Sequence, residues 1–315
     1  MNLNGRALAL ADWCIDHAHE LRVAVQTLPS GTRVIDAGVN ARGGFAAGQK
    51  LADICMGVLG QTTFTTLTID GSNWPGVQVW TDHPAVACMA SQYAGWAISP
   101  DGYFAMGSGP LRAHARVEKE LFEHLGYTET AAHGVLVLET RTLPDDGVAT
   151  WIARKANIAP EALTILVAPT ASTAGGVQVV ARVLETGLHK METLGFDVTQ
   201  VVSASGTAPL PPTARNDLRA IGRTNDCVLY GGQARYIVDA ADNDLETLAA
   251  RLPASSSSDY GTPFYEIFKR YDNDFYRIDS QLFSPAEVWL TSATSGRTFH
   301  AGRLNPDVLR ASLFD

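Results

Sequence analysis

The chain has 315 residues, 46% of them hydrophobic and 18% charged, with a formal net charge of -9 at pH 7. That length suits one large or two moderate domains with an ample core, and the acidic balance argues against nucleic acid as the main partner. No run of about 18 apolar residues occurs, so no membrane span is expected, and the opening MNLNGRALALADWCIDHAHE is broken by Asp12 and Asp16, so no export signal is expected. Cys14, Cys55, Cys88 and Cys227 lie far apart and outside any CxxC, a usage that fits reduced, buried thiols in a cytoplasmic protein.

In chain order, residues 3–26 read as a long helix, RVIDAG (33–38) as a short buried strand, GVNARGG (38–44) as a glycine-rich turn and FAAGQKLADICMG as a helix. TTFTTLTID (62–70) and VQVW (77–80) read as strands. DHPAVACMASQYAGW (82–96) reads as a helix with Pro84 near its first turn. Strands at 102–106, 134–140 and 163–169 then alternate with helices at 110–125 and about 145–157, and a strand at 197–205 closes a βαβα pattern. The three prolines of GTAPLPP (206–212) predict neither helix nor interior strand. A short helix TARNDLRAIG, a loop GRTNDC and paired strands around CVLY and ARYIVDA follow. SSSSDYGTP (255–263) reads as a flexible loop. A helix at 263–271, strands around EVWLT and RTFHA, and a terminal helix complete the chain.

One segment organises the rest. Gly175–Gly195 reads as one helix of about five turns, closed by a C-terminal glycine. It is mostly apolar, but Gln178, Arg182, Glu185, His189 and Glu192 recur at spacings of four and three and so form one stripe. Such a stripe faces either a polar cleft or bulk water. In the second case its ion pairs contribute only ~0.2–0.5 kcal/mol each.

Several chemistries lack their motifs. There is no phosphate loop and no GxSxG around Ser91, Ser108, Ser172 or Ser205. Gly107-Ser108-Gly109-Pro110-Leu111-Arg112 begins like a dinucleotide fingerprint, but Arg112 stands where the third glycine belongs. The HxH of His17 and His19 falls in a helical pattern, where i and i+2 diverge, rather than on a strand. Three strand–glycine–helix junctions (38–44, 107–110 and 171–176) each offer backbone N–H groups to an anion or polar ring. Arg112 and Arg116, four apart, form either surface ion pairs or an anion clamp.

At this point VIDAGVNARGGFAAGQKLADICMG, VQVWTDHPAVACMASQYAGW, YFAMGSGPLRA, VQVVARVLETGLHKMETLGFD, GTAPLPP and AIGRTNDCVLYGG together resemble the methenyltetrahydromethanopterin cyclohydrolase family, in order over about residues 33–232. The resemblance implies an α/β (mixed α+β) fold of two domains with mixed sheets and a substrate cleft between them. It implies reversible hydrolysis of a pterin-bound methenyl bridge to an N5-formyl group, with no metal, no cofactor beyond the carrier, and a homo-oligomer, often a trimer. Arg182 and Glu185 match the family's catalytic pair, with Glu185 as general base and acid and Arg182 positioning it. Gln178, Ser91, Gln92, Ser108, Thr207, Asn225 and Asp226 become candidates for the pterin, and Arg112, Arg116 and Arg223 for the carrier's anionic tail. The regular segment 84–212 is expected to be one domain, with 1–83 and 213–315 pairing as the other. Two rivals stand beside this reading: a metal-dependent amidohydrolase using His17 and His19, and a non-catalytic pterin-binding protein.

Overall fold

The computed structural model describes residues 1–272 and 274–314. Its strands are β1 Ala24–Thr27, β2 Arg33–Asp36, β3 Gly60–Ile69, β4 Ser72–Thr81, β5 Trp96–Ile98, β6 Ala105–Ser108, β7 Gly134–Glu139, β8 Leu163–Val167, β9 Val201–Pro209, β10 Gln233–Val238, β11 Glu287–Ser292 and β12 Thr298–Gly302. They form two mixed six-stranded sheets, in the orders β1-β2-β8-β7-β6-β5 and β12-β11-β10-β9-β4-β3. The α/β class expected from sequence is what the chain adopts.

The sheets divide the chain at other places than 84 and 212. One compact unit comprises Met1–Gly60 with Val86–Gln178, the other Gln61–Ala85 with Val179–Asp315. The reason is strand pairing. β2 lies parallel to β8, which lies parallel to β7, so the first 60 residues belong with the βα pattern. β9 pairs antiparallel with both β4 and β10, which draws 201–209 into the other sheet.

The first unit carries helices α1 Leu3–Asp16, α2 Ala18–Leu21, α3 Phe45–Cys55, α4 Leu111–Ala115, α5 Lys119–Leu125, α6 Asp146–Ala156 and α7 Thr173–Val180, the division between units falling inside α7. Its central strands β2, β7 and β8 are buried on both sides because both faces are covered. Ile35, Val135, Val137 and Leu166 pack with residues of α1 and α3. Their neighbours Val34, Leu136, Leu138, Ile165 and Val167 point the other way, to residues of α4 and α6. The second unit carries α8 Val183–Thr193, α9 Asp217–Leu229, α10 Asp242–Arg251, α11 Phe264–Arg270 and α12 Pro306–Phe314. Its central strands alternate buried and exposed residues, as in a sheet with one covered face. α8 packs on β4, β9 and β10.

Several elements differ from their sequence reading. The expected helix at 3–26 stops at Asp16, resumes as α2, and ends at Arg22, whose left-handed φ of 55° releases the chain into β1. The helix expected at 82–96 is a π-helix over Ala85–Gln92. The one expected at 110–125 breaks at Arg116, also left-handed at φ 50°. Gly206, Thr207 and Ala208 lie inside the sheet after all: the first proline, Pro209, falls at the strand's last position, so no interior N–H is lost. GRTNDCVL is neither loop nor strand but the body of α9. Asn216 caps this helix by accepting from the Arg219 N–H at 2.9 Å.

The serine-rich segment is pinned rather than flexible. Ser257 and Asp259 are buried, and Ser257 donates to Asp279 at 2.7 Å. The cause lies far off in sequence. Lys190, fully buried on α8, donates to the Pro253 carbonyl and the Ser256 hydroxyl, each at 2.8 Å, and to the Gln281 carbonyl. Burial pulls this ammonium down to about 7, Asp279 opposing and Arg251 reinforcing the shift. The three acceptors match the three N–H donors of the charged form, so the contact geometry is that of an ammonium.

Candidate functional site

The helix expected over 175–195 is two helices with Arg182 at the joint. α7 begins at Thr173, where Ser172 accepts from the Gly175 N–H at 2.9 Å. It ends at Val180. The Arg182 N–H donates to the Val179 carbonyl (3.1 Å), and its own carbonyl accepts from Thr186 (3.0 Å), which makes it the N-cap of α8. Gly195, at φ 82°, closes α8 as its sequence position suggests.

The polar stripe is not a wet face. Gln178, Arg182 and Glu185 are 1%, 7% and 5% exposed. Arg182 Nη1 lies 3.9 Å from Glu185 Oε2. Glu185 sits in the first turn of α8, where the helix amino end and the guanidinium both present positive potential to the carboxylate. His189, further along, is half-buried, and burial pushes its imidazole pKa down. A charged pair held this far from water costs desolvation that its attraction alone does not repay, so it is weak evidence of a stabilising role.

A second group of candidate residues meets in the first unit. The π-helix sets Ser91 and Gln92, both fully buried, at its end, where Tyr93 bonds to the Cys88 carbonyl at 2.8 Å in the i→i+5 spacing. Such helices are rare and recur at functional sites. The Ser91 hydroxyl donates to the Cys55 carbonyl at 2.6 Å. Ser108, at the end of β6, approaches the Cys55 thiol at 3.4 Å, and that thiol donates to Gln178 Oε1 at 3.9 Å. Ser91, Ser108 and Gln178 thus converge on one residue, Cys55, that no sequence motif marks. The sequence signal for Cys55 was only that a buried thiol ends α3.

The three glycine junctions satisfy their own backbone. Asp36 turns back into its loop and accepts from Gly38 and Val39 through Oδ1 and from Asn40 and Ala41 through Oδ2, all at 2.7–2.9 Å. A resident carboxylate therefore fills the amide nest that the sequence offered to an external anion. Gly109 donates to the Ser91 carbonyl, and Gly175 and Gly176 to Ser172. Nor do Arg112 and Arg116 form a clamp. Arg112 is fully buried, held by Glu118 at 2.8 and 3.1 Å, by the carbonyls of Met89, Ala90 and Ser91, and by the Tyr93 and Phe122 rings. Arg116 leaves the helix left-handed and is exposed.

In the second unit, Thr207 is half-buried in β9 between Gln78 and Gln233. Asn225 donates to the Ile221 carbonyl at 2.8 Å, and Arg223 makes three long contacts of 3.4 Å to the Pro212, Thr213 and Ser312 carbonyls. Asp226 is fully buried and accepts from the Phe264 N–H at 2.8 Å, which joins α9 to α11. Burial pushes its carboxyl up to about 7, against a hydrogen bond from Ser312. The folded protein therefore keeps this proton while the unfolded chain releases it near its ordinary value. Stability contributed below pH 4 is lost as pH rises toward 7, by an amount on the order of 4 kcal/mol at most. Asp226→Asn is expected to remove that slope: urea melts of the variant and parent should diverge in the variant's favour between pH 4 and 7, then run parallel.

His17 Nδ1 lies 2.8 Å from the Trp13 carbonyl and its ring stacks on Trp13, while His19 lies in α2. Among the described residues no three His, Cys, Asp or Glu side chains gather in a metal-binding group, and no helix is long and apolar enough to cross a membrane.

The chain matches the family described as "Cyclohydrolase (MCH)" over residues 2–313. It is similar to proteins named methenyltetrahydromethanopterin cyclohydrolase: 40% identical to that of Methanococcoides burtonii over 99% of this chain and 98% of that protein. It is 44% identical to that of Methanosarcina barkeri over 95% and 94%, and 45% to that of Methylobacterium organophilum over 99% and 97%. With a family match along nearly its whole length and relatives 40–45% identical over 95–99% of it, the chain belongs to the methenyltetrahydromethanopterin cyclohydrolase family of hydrolases.

Proposed function

We propose that this chain hydrolyses the methenyl bridge of N5,N10-methenyl-tetrahydromethanopterin, reversibly, to the N5-formyl derivative, with Glu185 as general base and acid. The observation that carries the reading is the buried Arg182–Glu185 pair at the α7–α8 joint. The bridge is an amidinium-like cation whose carbon is already electrophilic. Water attacks that carbon while Glu185 takes one of its protons. Glu185 then returns this proton to N10 as the C–N10 bond breaks and the hydroxyl oxygen forms the formyl C=O. The hydroxyl proton leaves last, so one proton is released per bridge opened. One carboxylate performs both transfers in sequence. Arg182 fixes its position and charge.

In this reading Gln178, Gln92 and Ser108 hydrogen-bond the pterin edge, and the exposed Arg116 meets the carrier's anionic tail. Arg112 instead holds the π-helix in shape. A homo-oligomer belongs to the same proposal. Its support is that three large apolar side chains on strands of the second sheet, Trp80, Val202 and Ile237, are 39–43% exposed. No metal or further cofactor is needed, because the cationic bridge requires no Lewis acid. The test is to follow loss of the methenyl absorbance before and after exhaustive chelation. Equal rates are expected, whereas activity lost on chelation and restored by a divalent metal would return the case to a metal-dependent hydrolase.

A further inference from the structure

We infer that Cys55 is a positioning residue of the pterin pocket, acting through Ser108 and Gln178; the inference rests on the function proposed above. Cys55 is the last residue of α3 and is wholly buried. The approach of α3 to α7 depends on Gly48. A Cβ there would stand 2.7 Å from Val177 Cβ and 2.8 Å from the Ala174 carbonyl. Only a glycine lets the two helices close to this distance, and two turns later the same approach brings Cys55 beside Gln178.

A thiol has one proton to give. That proton is directed to Gln178 Oε1, so the Ser108 hydroxyl is the donor in its contact with Sγ. The thiol thereby fixes which end of the Gln178 amide faces α3 and which way the Ser108 hydroxyl points. Both settings matter to a ligand whose edge alternates donors and acceptors. The main chain of the same residue does related work. The Cys55 carbonyl holds Ser91, and the Ser91 carbonyl in turn receives Gly109 and Arg112. Residue 55 therefore ties α3 to the π-helix, β6 and α7. Its burial rules out an exposed nucleophile, and no redox step is involved.

The experiment is steady-state kinetics on Cys55→Ala and Cys55→Ser, with a double-mutant cycle to Ser108→Ala and the side-chain amide NMR signals of Gln178 recorded for each. Cys55→Ala is expected to raise KM about tenfold with kcat within about twofold, the loss of one or two modest hydrogen bonds. Serine, which keeps a donor and an acceptor, should recover most of that. The Cys55 and Ser108 effects should combine to less than their product, and the Gln178 amide signals should move in Cys55→Ala. If alanine's cavity prevents folding, Cys55→Val takes its place, filling the site without a donor. A KM at the parent value, fully multiplicative effects, or unmoved Gln178 signals would each overturn the inference. A parent protein inert toward the methenyl pterin would contradict the proposed function instead, and the Gln178 signals would then still decide the thiol contact.

Discussion

Replacing Glu185 with glutamine is expected to lower kcat by about 10²–10⁴-fold, the range a positioned general base contributes, while substrate affinity stays within about threefold. Glutamine keeps the shape and the hydrogen-bonding oxygen but accepts no proton. It also removes the negative charge 3.9 Å from Arg182 in a site where both groups are nearly dry. The split between kcat and affinity is informative because an interaction made only in the transition state lowers kcat and kcat/KM together. Arg182→Lys makes a useful companion: it keeps the charge but not the planar fork. Its loss should be smaller than that of Glu185→Gln. Near-normal turnover by Glu185→Gln would remove the carboxylate from the mechanism and leave the pair as a structural contact at the amino end of α8.

The second large effect is on stability and lies well away from the chemistry. Glu129→Ala is expected to destabilise the protein by about 3–5 kcal/mol, as when a buried charge network loses one partner. The Glu129 carboxylate caps α1 from 126 positions away. Oε2 accepts from the Leu3 N–H and the Tyr127 hydroxyl, and Oε1 from the Asn4 N–H and Nδ2, all at 2.9–3.0 Å. Asn4 is itself fully buried and bonds on to Pro110 and Val135. Alanine leaves the buried Leu3 and Asn4 N–H groups without their acceptor and takes one bond each from Asn4 Nδ2, which keeps the Pro110 carbonyl, and the Tyr127 hydroxyl, which keeps the Met1 carbonyl. Glutamine is no remedy, because either orientation turns an NH₂ toward an N–H donor. Denaturant melts read the effect directly; a loss below about 1 kcal/mol would mean that water replaces the carboxylate cheaply.

The parts legible in sequence are those in which local pattern and final environment agree. RVID, GVLVLE and LTILV carry apolar residues at consecutive positions and are buried along nearly their whole length because both sheet faces are covered. The helix at 146–156 announces itself through Asp145, which caps it by accepting from Val148 at 2.9 Å. The misread parts are those in which a distant partner decides. CVLY has the β-branched look of a strand, but the Asn216 cap and the back-bonding of Thr224 and Asn225 carry the helix through it. GTAP reads as unfit for a sheet interior by composition, but its one proline falls at the strand's last position. The serine-rich segment looked mobile because nothing near it in sequence reveals Lys190.

The site shows the same division. The spacing of Arg182 and Glu185 was visible, and so was the stripe they share with Gln178. The break at Arg182 was not, because no glycine or proline marks it. The π-helix left no trace in the periodicity either, since its composition is that of any apolar helix. Asp36 filling its own amide nest was the one local feature open to earlier recognition: an aspartate ahead of a Gly-Val-Asn turn is a common way for a loop to satisfy itself.

The most direct test of the account is to supply the parent protein with the methenyl group on two carriers, tetrahydromethanopterin and tetrahydrofolate, and to follow loss of the methenyl absorbance with product identification. Hydrolysis of the pterin to its N5-formyl derivative, with release of one proton and little turnover of the folate, is the expected result. Absence of pterin hydrolysis would contradict the account outright.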